Sequence, residues 1–215
     1  MADLGRRSAL RLIGGAPFAV SFGLSAASAE TAHAHALAAL AAGAKGTPFK
    51  PRFFNPHEWQ TVRVLVDLII PRDARSGSAT DAGVPEFMDF VMTDPAEEAR
   101  SREWRQTAMR GGLAWIDNEC RERFGADFVS CTDAQRTQLL DEIAYQKDSG
   151  GPVLDEYGRI PMRHGAEFFN SFRDLTASGF WSSKMGVEDI GYVGNQPAVW
   201  QGPPAEVLRK LGLEP

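Results

Sequence analysis

The residues of this chain that could do chemistry are two cysteines, four histidines and a few clustered carboxylates. His57 stands at the expected start of a helix and His164 just ahead of a Phe-rich one. Neither has a nucleophile or a carboxylate at a spacing that would build a catalytic pair. His33 and His35 form a His-Ala-His pair in an Ala-rich stretch. Two imidazoles on a segment with no element to hold them make a poor metal site, so they read as solvated surface histidines. Asp94, Glu97 and Glu98, and separately Asp155 and Glu156, fall at helix starts or in loops, where carboxylates complement the helix dipole or aid solubility. No glycine-rich dinucleotide or phosphate loop, no Cys-x-x-Cys and no His-Glu-x-x-His occurs. Two cysteines are too few for an iron–sulfur cluster or a structural zinc. No catalytic, cofactor-binding or metal residue is therefore assigned.

Cys120 and Cys131 close one helix and precede the next, across a turn containing Gly125. In an oxidising compartment this placement fits a disulfide, worth about 3 kcal/mol for so short a loop. Two reduced, partly buried thiols are the other reading, because Cys120 also falls on an apolar stripe.

The elements that must position these residues are helices. Asn55-Pro56-His57-Glu58 is a capping box with proline at the first helical position. Trp59, Val62, Leu65, Val66 and Ile69 follow at helical spacing until Pro71. Residues 72–83 are polar and Gly/Ser-rich, an expected exposed loop, and Val84-Pro85-Glu86 opens a short helix carrying Phe87, Phe90 and Val91. From about Ala96 to Phe124, Trp104, Ala108, Gly112, Ile116, Cys120 and Phe124 recur every four residues, and Gly125 is the natural stop. The Gly111-Gly112 pair inside this helix costs about 1 kcal/mol per glycine, which a closely crossing helix would explain. Thr132 to Gln135 is a second capping box, leading into Leu139, Leu140 and Ile143. A further helix carries a core-facing Phe168, Phe169 and Phe172 and ends near Gly179. Phe180 to Pro204 is dense in Gly, Pro and aromatics with no helical period, and a short helix from Ala205 to Leu211 closes the chain. The fold class is mainly α: one helical domain of five to six helices with an extended Gly/Pro/aromatic-rich C-terminal tail.

Composition restricts the role. Without residues 1–29, which hold Arg6, Arg7, Arg11 and Asp3, the chain carries 20 basic and 27 acidic residues, a net charge of −7. An acidic domain without a Lys/Arg stripe is unsuited to nucleic acid, where phosphate neutralisation dominates affinity. Residues 1–29 themselves have the three parts of an export signal. Arg6 and Arg7 precede an uncharged run rich in Gly, Ala and Ser, and Ala27-Ser28-Ala29 offers small residues for cleavage before Glu30. Weak hydrophobicity and paired arginines point to the twin-arginine route and a periplasmic destination, although Gly5 and Ala9 depart from its usual pattern. Residues 30–54 read as a linker and 55–215 as the functional domain.

The tail carries a resemblance. Phe180-Trp181-Ser182 and Lys184-Met185-Gly186, then Gly191-Tyr192, Gly194-Asn195 and Trp200-Gln201-Gly202-Pro203-Pro204, resemble the gluconate 2-dehydrogenase subunit 3 family, as do Leu68-Ile69-Ile70-Pro71 and Asp81-Ala82-Gly83-Val84. The resemblance covers about residues 55–204. It implies the non-catalytic small subunit of a periplasmic, membrane-associated dehydrogenase for a sugar or polyol. FAD would lie in a large catalytic subunit, haem c in a cytochrome c subunit, and no cofactor in this chain. The small subunit would carry its flavoprotein through the twin-arginine translocase as folded cargo. Trp181, Tyr192, Asn195 and Trp200 are then the expected partner-binding residues, aromatic anchors being prominent in interfaces; the other reading of the three aromatics is that they cover this domain's own helices. A stand-alone periplasmic enzyme and a small-ligand-binding protein are the alternative readings.

Overall fold

The structure is a computed structural model that describes residues 26–144, 163–192, 203 and 205–212. Among the described residues there are eight helices and no strand: α1 (Ala26–Ala44), α2 (Pro56–Ile69), α3 (Val84–Thr93), α4 (Ala99–Phe124), α5 (Asp133–Ala144), α6 (Arg163–Trp181), α7 (Lys184–Ile190) and α8 (Ala205–Lys210). None is long and apolar enough to cross a membrane.

The short α3 is the axis on which α1, α2, α4 and α6 pack. Its sequence suits that place, since Val84, Pro85, Phe87, Met88, Val91 and Met92 are buried around nearly the whole circumference. A helix enclosed in this way must also satisfy its polar groups. Asp89 does so by accepting from the backbone N–H groups of Arg52, Phe53 and Phe54 at 2.9, 3.0 and 3.3 Å, pinning the segment before α2. Glu86 is also buried, and its Oε2 has no hydrogen-bond partner; burial pushes its carboxyl above the usual range.

The capping signals act as the sequence indicated. Asn55 Oδ1 accepts from the amides of His57 and Glu58 at 2.9 Å, and Glu58 Oε2 accepts from the Asn55 amide at 2.9 Å. Thr132 and Gln135 exchange the same pair of bonds at the start of α5. Gly125 ends α4 with φ +74°.

The paired glycines of α4 are explained by α6. A Cβ on Gly112 would lie 1.9 Å from the Phe168 ring, whereas one on Gly111 would meet open space. The crossing is reciprocal: Gly165 of α6 lies beneath Trp115 of α4, where a Cβ would come within 2.2 Å of the indole. Each helix gives up a side chain so that the other can bury an aromatic ring.

Four expectations are corrected. Residues 30–44 are not a linker: they belong to α1, which packs on α3 with Ala32 and Ala36 fully buried. Alanine on nearly every side gives α1 no apolar period, yet it lies close to α3, with Ala36 and Leu40 beside Gly83 and His33 against Phe87. His33 and His35 are accordingly not merely solvated. His33 lies 4.8 Å from the Phe87 ring with Nε2 2.5 Å from Ser182 Oγ, and burial lowers its pKa; His35 stacks on Phe90 at 4.3 Å. The 72–83 loop turns inward, burying Ala79 and Ala82, with Asp81 Oδ2 accepting from the Ser78 amide at 2.7 Å. The buried stripe of α4 starts with Arg105 rather than Trp104. Arg105 is 5% exposed and paired in two-pronged fashion with Glu97 at 2.5 and 2.6 Å, while Trp104 is 65% exposed.

The first part of the expected tail is also helical. Ser183 caps α7, accepting from the Gly186 amide at 3.1 Å and donating to the Phe180 carbonyl at 2.6 Å.

Candidate functional site

The chain folds so that His57, whose sequence neighbour Glu58 is taken up by the capping box, meets a distant carboxylate in space. The α2 capping box fixes the backbone of His57, and the apolar stripe of α4 turns Asp117 toward it. His57 Nε2 lies 2.5 Å from Asp117 Oδ2. With a carboxylate as partner, Nε2 is the donor, and Nδ1 is the acceptor of the neutral ring. The other oxygen, Asp117 Oδ1, accepts from the Phe128 amide at 3.0 Å, so one buried carboxylate joins α2, α4 and the loop after α4.

Around this pair is an open polar cleft of about 220 Å³, lined among others by Asn55, Glu58, Arg110, Asn118 and Arg121. Arg110 stands 3.7 Å from Glu58, donates to the Phe53 carbonyl at 2.9 Å and lies over the Phe53 ring. Arg121 stands 3.8 Å from Asp117. The charges are therefore matched by neighbours within the cleft. Thr61 Oγ1 donates to the His57 carbonyl rather than approaching the imidazole. The arrangement orients a histidine, and among the described lining residues the one hydroxyl, that of Thr61, is turned to a backbone carbonyl. The Asp117 carboxylate ties three segments together. Among the described residues no group of three metal-ligating side chains occurs. His164 lies in the first turn of α6, and its side chain is outside the described residues.

The residues expected to serve export or docking are dispersed. Arg6 and Arg7 lie outside the described residues, as do Asn195 and Trp200. Ala27 and Ala29 are in the first turn of α1. Trp181 is half-buried and meets Phe180 edge-on at 4.9 Å, so it covers the domain's own core. Tyr192, just after α7, is 61% exposed. Cys120 and Cys131 are two separate buried thiols. Cys131 donates to the Ala126 carbonyl at 3.8 Å, and Cys120 is pushed up to about 12 by burial and by the neighbouring Cys131 thiol.

Sequence reasoning passed over two features. Asp117 is 60 positions from His57, and no local signal connects them. Trp104 was placed on the apolar stripe, yet it is the most exposed large aromatic among the described residues. Glu103 and Thr107 share its exposed side of α4, whereas Arg102 and Gln106 donate to the carbonyls of residues 92–97.

Neither a curated protein nor a solved structure matches the chain. A family model does, from the first residue of α2 to beyond α7, taking in α3, both glycine–aromatic contacts and the His57–Asp117 pair. On that match over residues 56–202, the chain belongs to the gluconate 2-dehydrogenase subunit 3 family.

Proposed function

We propose that this chain is the non-catalytic small subunit of an exported, membrane-associated dehydrogenase that oxidises a CH–OH group of a sugar, polyol or sugar acid. The family match across residues 56–202 carries this reading. FAD belongs to the large catalytic subunit and haem c to a cytochrome c subunit. This chain docks on the flavoprotein, stabilises it and supplies through Arg6 and Arg7 the twin-arginine address for a folded complex in the periplasm. The exposed Trp104 and Tyr192 support a docking role, because large aromatics that a domain leaves in water are the side chains from which interfaces draw their energy.

Co-purification tests the assembly. The full chain, tagged and produced in its native cells, should bring down a flavin-containing protein from the membrane fraction. Oxidation of a sugar or gluconate with an artificial electron acceptor should need that protein. Turnover by this chain alone would refute the accessory role. Replacing Arg6 and Arg7 by lysine should leave both proteins in the cytoplasm; a flavoprotein that still reached the periplasm would refute co-export.

A further inference from the structure

The two cysteines lie on either side of a loop that is held closely at both ends. Cys120 is in the last turns of α4, Gly125 reverses the chain, and Cys131 stands two residues before α5. Between them the Asp127 carbonyl accepts from the amides of Ser130 and Cys131 at 3.0 Å. The Asp127 side chain accepts from Ser130 at 2.9 Å, and Arg136 Nε donates to the Phe128 carbonyl at 2.9 Å. Phe128, at the centre, is fully buried and gives its amide to Asp117. Both cysteines are interior, Cys120 at 0% and Cys131 at 4% exposure, and the Cys131 thiol is a near neighbour of Cys120.

We propose that Cys120 and Cys131 are a modification site, closed to an intramolecular disulfide by a dithiol–disulfide oxidant, and that this bond fastens the loop on which the Asp117–His57 pair depends. Each thiol loses its proton and the pair loses two electrons as the S–S bond forms. The electrons reduce the oxidant's disulfide to a dithiol. That such an oxidant is met in the cell rests on the reading of export to an oxidising compartment.

Both sulfurs are sealed, and the high pKa of Cys120 leaves little thiolate for exchange in the closed fold. Closure therefore follows local opening of residues 126–132. A chain that folds before export arrives with the pair reduced and is oxidised afterwards. Closing a loop of this length shifts the opening equilibrium by about 100-fold toward the closed form. The gain appears at the Phe128 amide, which the loop presents to Asp117.

The test counts thiols. The full chain, purified reduced and then incubated with oxidised glutathione, is denatured in iodoacetamide without reductant. Neither cysteine should be alkylated, and a digest should contain the linked peptides. The oxidised form should show exchange of the Phe128 amide slowed about 100-fold against the reduced form, a difference that Cys131→Ser abolishes. Two alkylated cysteines, or glutathione attached to each, would overturn the proposal. This outcome is independent of where the chain resides, so a chain found only in the cytoplasm would refute the export reading and leave the thiol count to decide this one.

Discussion

Gly111 and Gly112 are adjacent in the same helix, so replacing each by alanine separates what the helix loses to glycine from what the fold gains. Both substitutions remove the backbone freedom of a mid-helix glycine, a gain of about 1 kcal/mol. At Gly111 nothing stands within 4 Å of the new Cβ, and the gain should appear whole. At Gly112 the Cβ would lie 1.9 Å from Phe168 Cδ2 and 2.2 Å from its Cγ. Carbon atoms rest at about 3.5–4.0 Å, so more than 1 Å must be recovered. The Cγ atom is the root of the ring, so turning the ring cannot clear it; α6 must move away from α4, loosening Trp115 over Gly165 as well. Overpacking of this kind costs about 1–3 kcal/mol, and with a contact this short the upper end applies, leaving Gly112→Ala net destabilising by about 2 kcal/mol. The variants should then differ by about 3 kcal/mol with opposite signs. For a chain of this length that is a separation of about 6–12 °C in Tm, with Gly111→Ala above the parent and Gly112→Ala below it. Circular dichroism followed through heat and urea unfolding measures both. A Gly112→Ala protein as stable as the parent would refute the close crossing of α4 and α6.

Other perturbations probe different contacts. Asp89→Ala strands three amides, those of Phe53 and Phe54 buried, and should cost about 3 kcal/mol, seen as a lower urea midpoint. Glu86 has a folded-state pKa raised by burial, so the folded chain binds its proton more tightly than the unfolded one does. The stability this gives is full below the unfolded carboxyl value of about 4.3 and lost as pH rises through the raised value. Urea midpoints of the parent should consequently fall relative to Glu86→Gln as pH is raised from 4 to 8; a constant difference would mean that the carboxyl titrates normally. Gly186→Ala sets a Cβ 2.0 Å from the Phe180 carbonyl oxygen, a backbone atom that cannot rotate aside. Hydrogen exchange over residues 180–190 should speed up at least tenfold, which follows from a loss of about 1.4 kcal/mol or more in local stability.

The local elements were legible in the sequence because the forces that set them act within a few residues. Asn55 to Glu58, Thr132 to Gln135, Pro71 and Gly125 start or stop helices through bonds to neighbouring amides or through a single backbone angle. The apolar period of α2 marks the face it buries, and the family resemblance rests on residues that, Pro203 and Pro204 apart, lie within the matched span. The α1 helix was missed because alanine marks no face, and the Ser183 cap because its helix is only seven residues long.

What the tertiary structure decided is which groups meet. Whether Trp104 or Arg105 turns inward depends on where Glu97 and the end of α3 lie against α4, a shift of one residue that the four-residue spacing leaves open. Asp117 finds His57 and Asp89 finds the amides of 52–54 only once the helices have packed together. The crossing itself is set by Gly112 and Gly165, each reserving space for a ring 50 or more residues away. A side chain's type announces what it can bond. Its partner is chosen by packing around α3, which belongs to the whole chain at once.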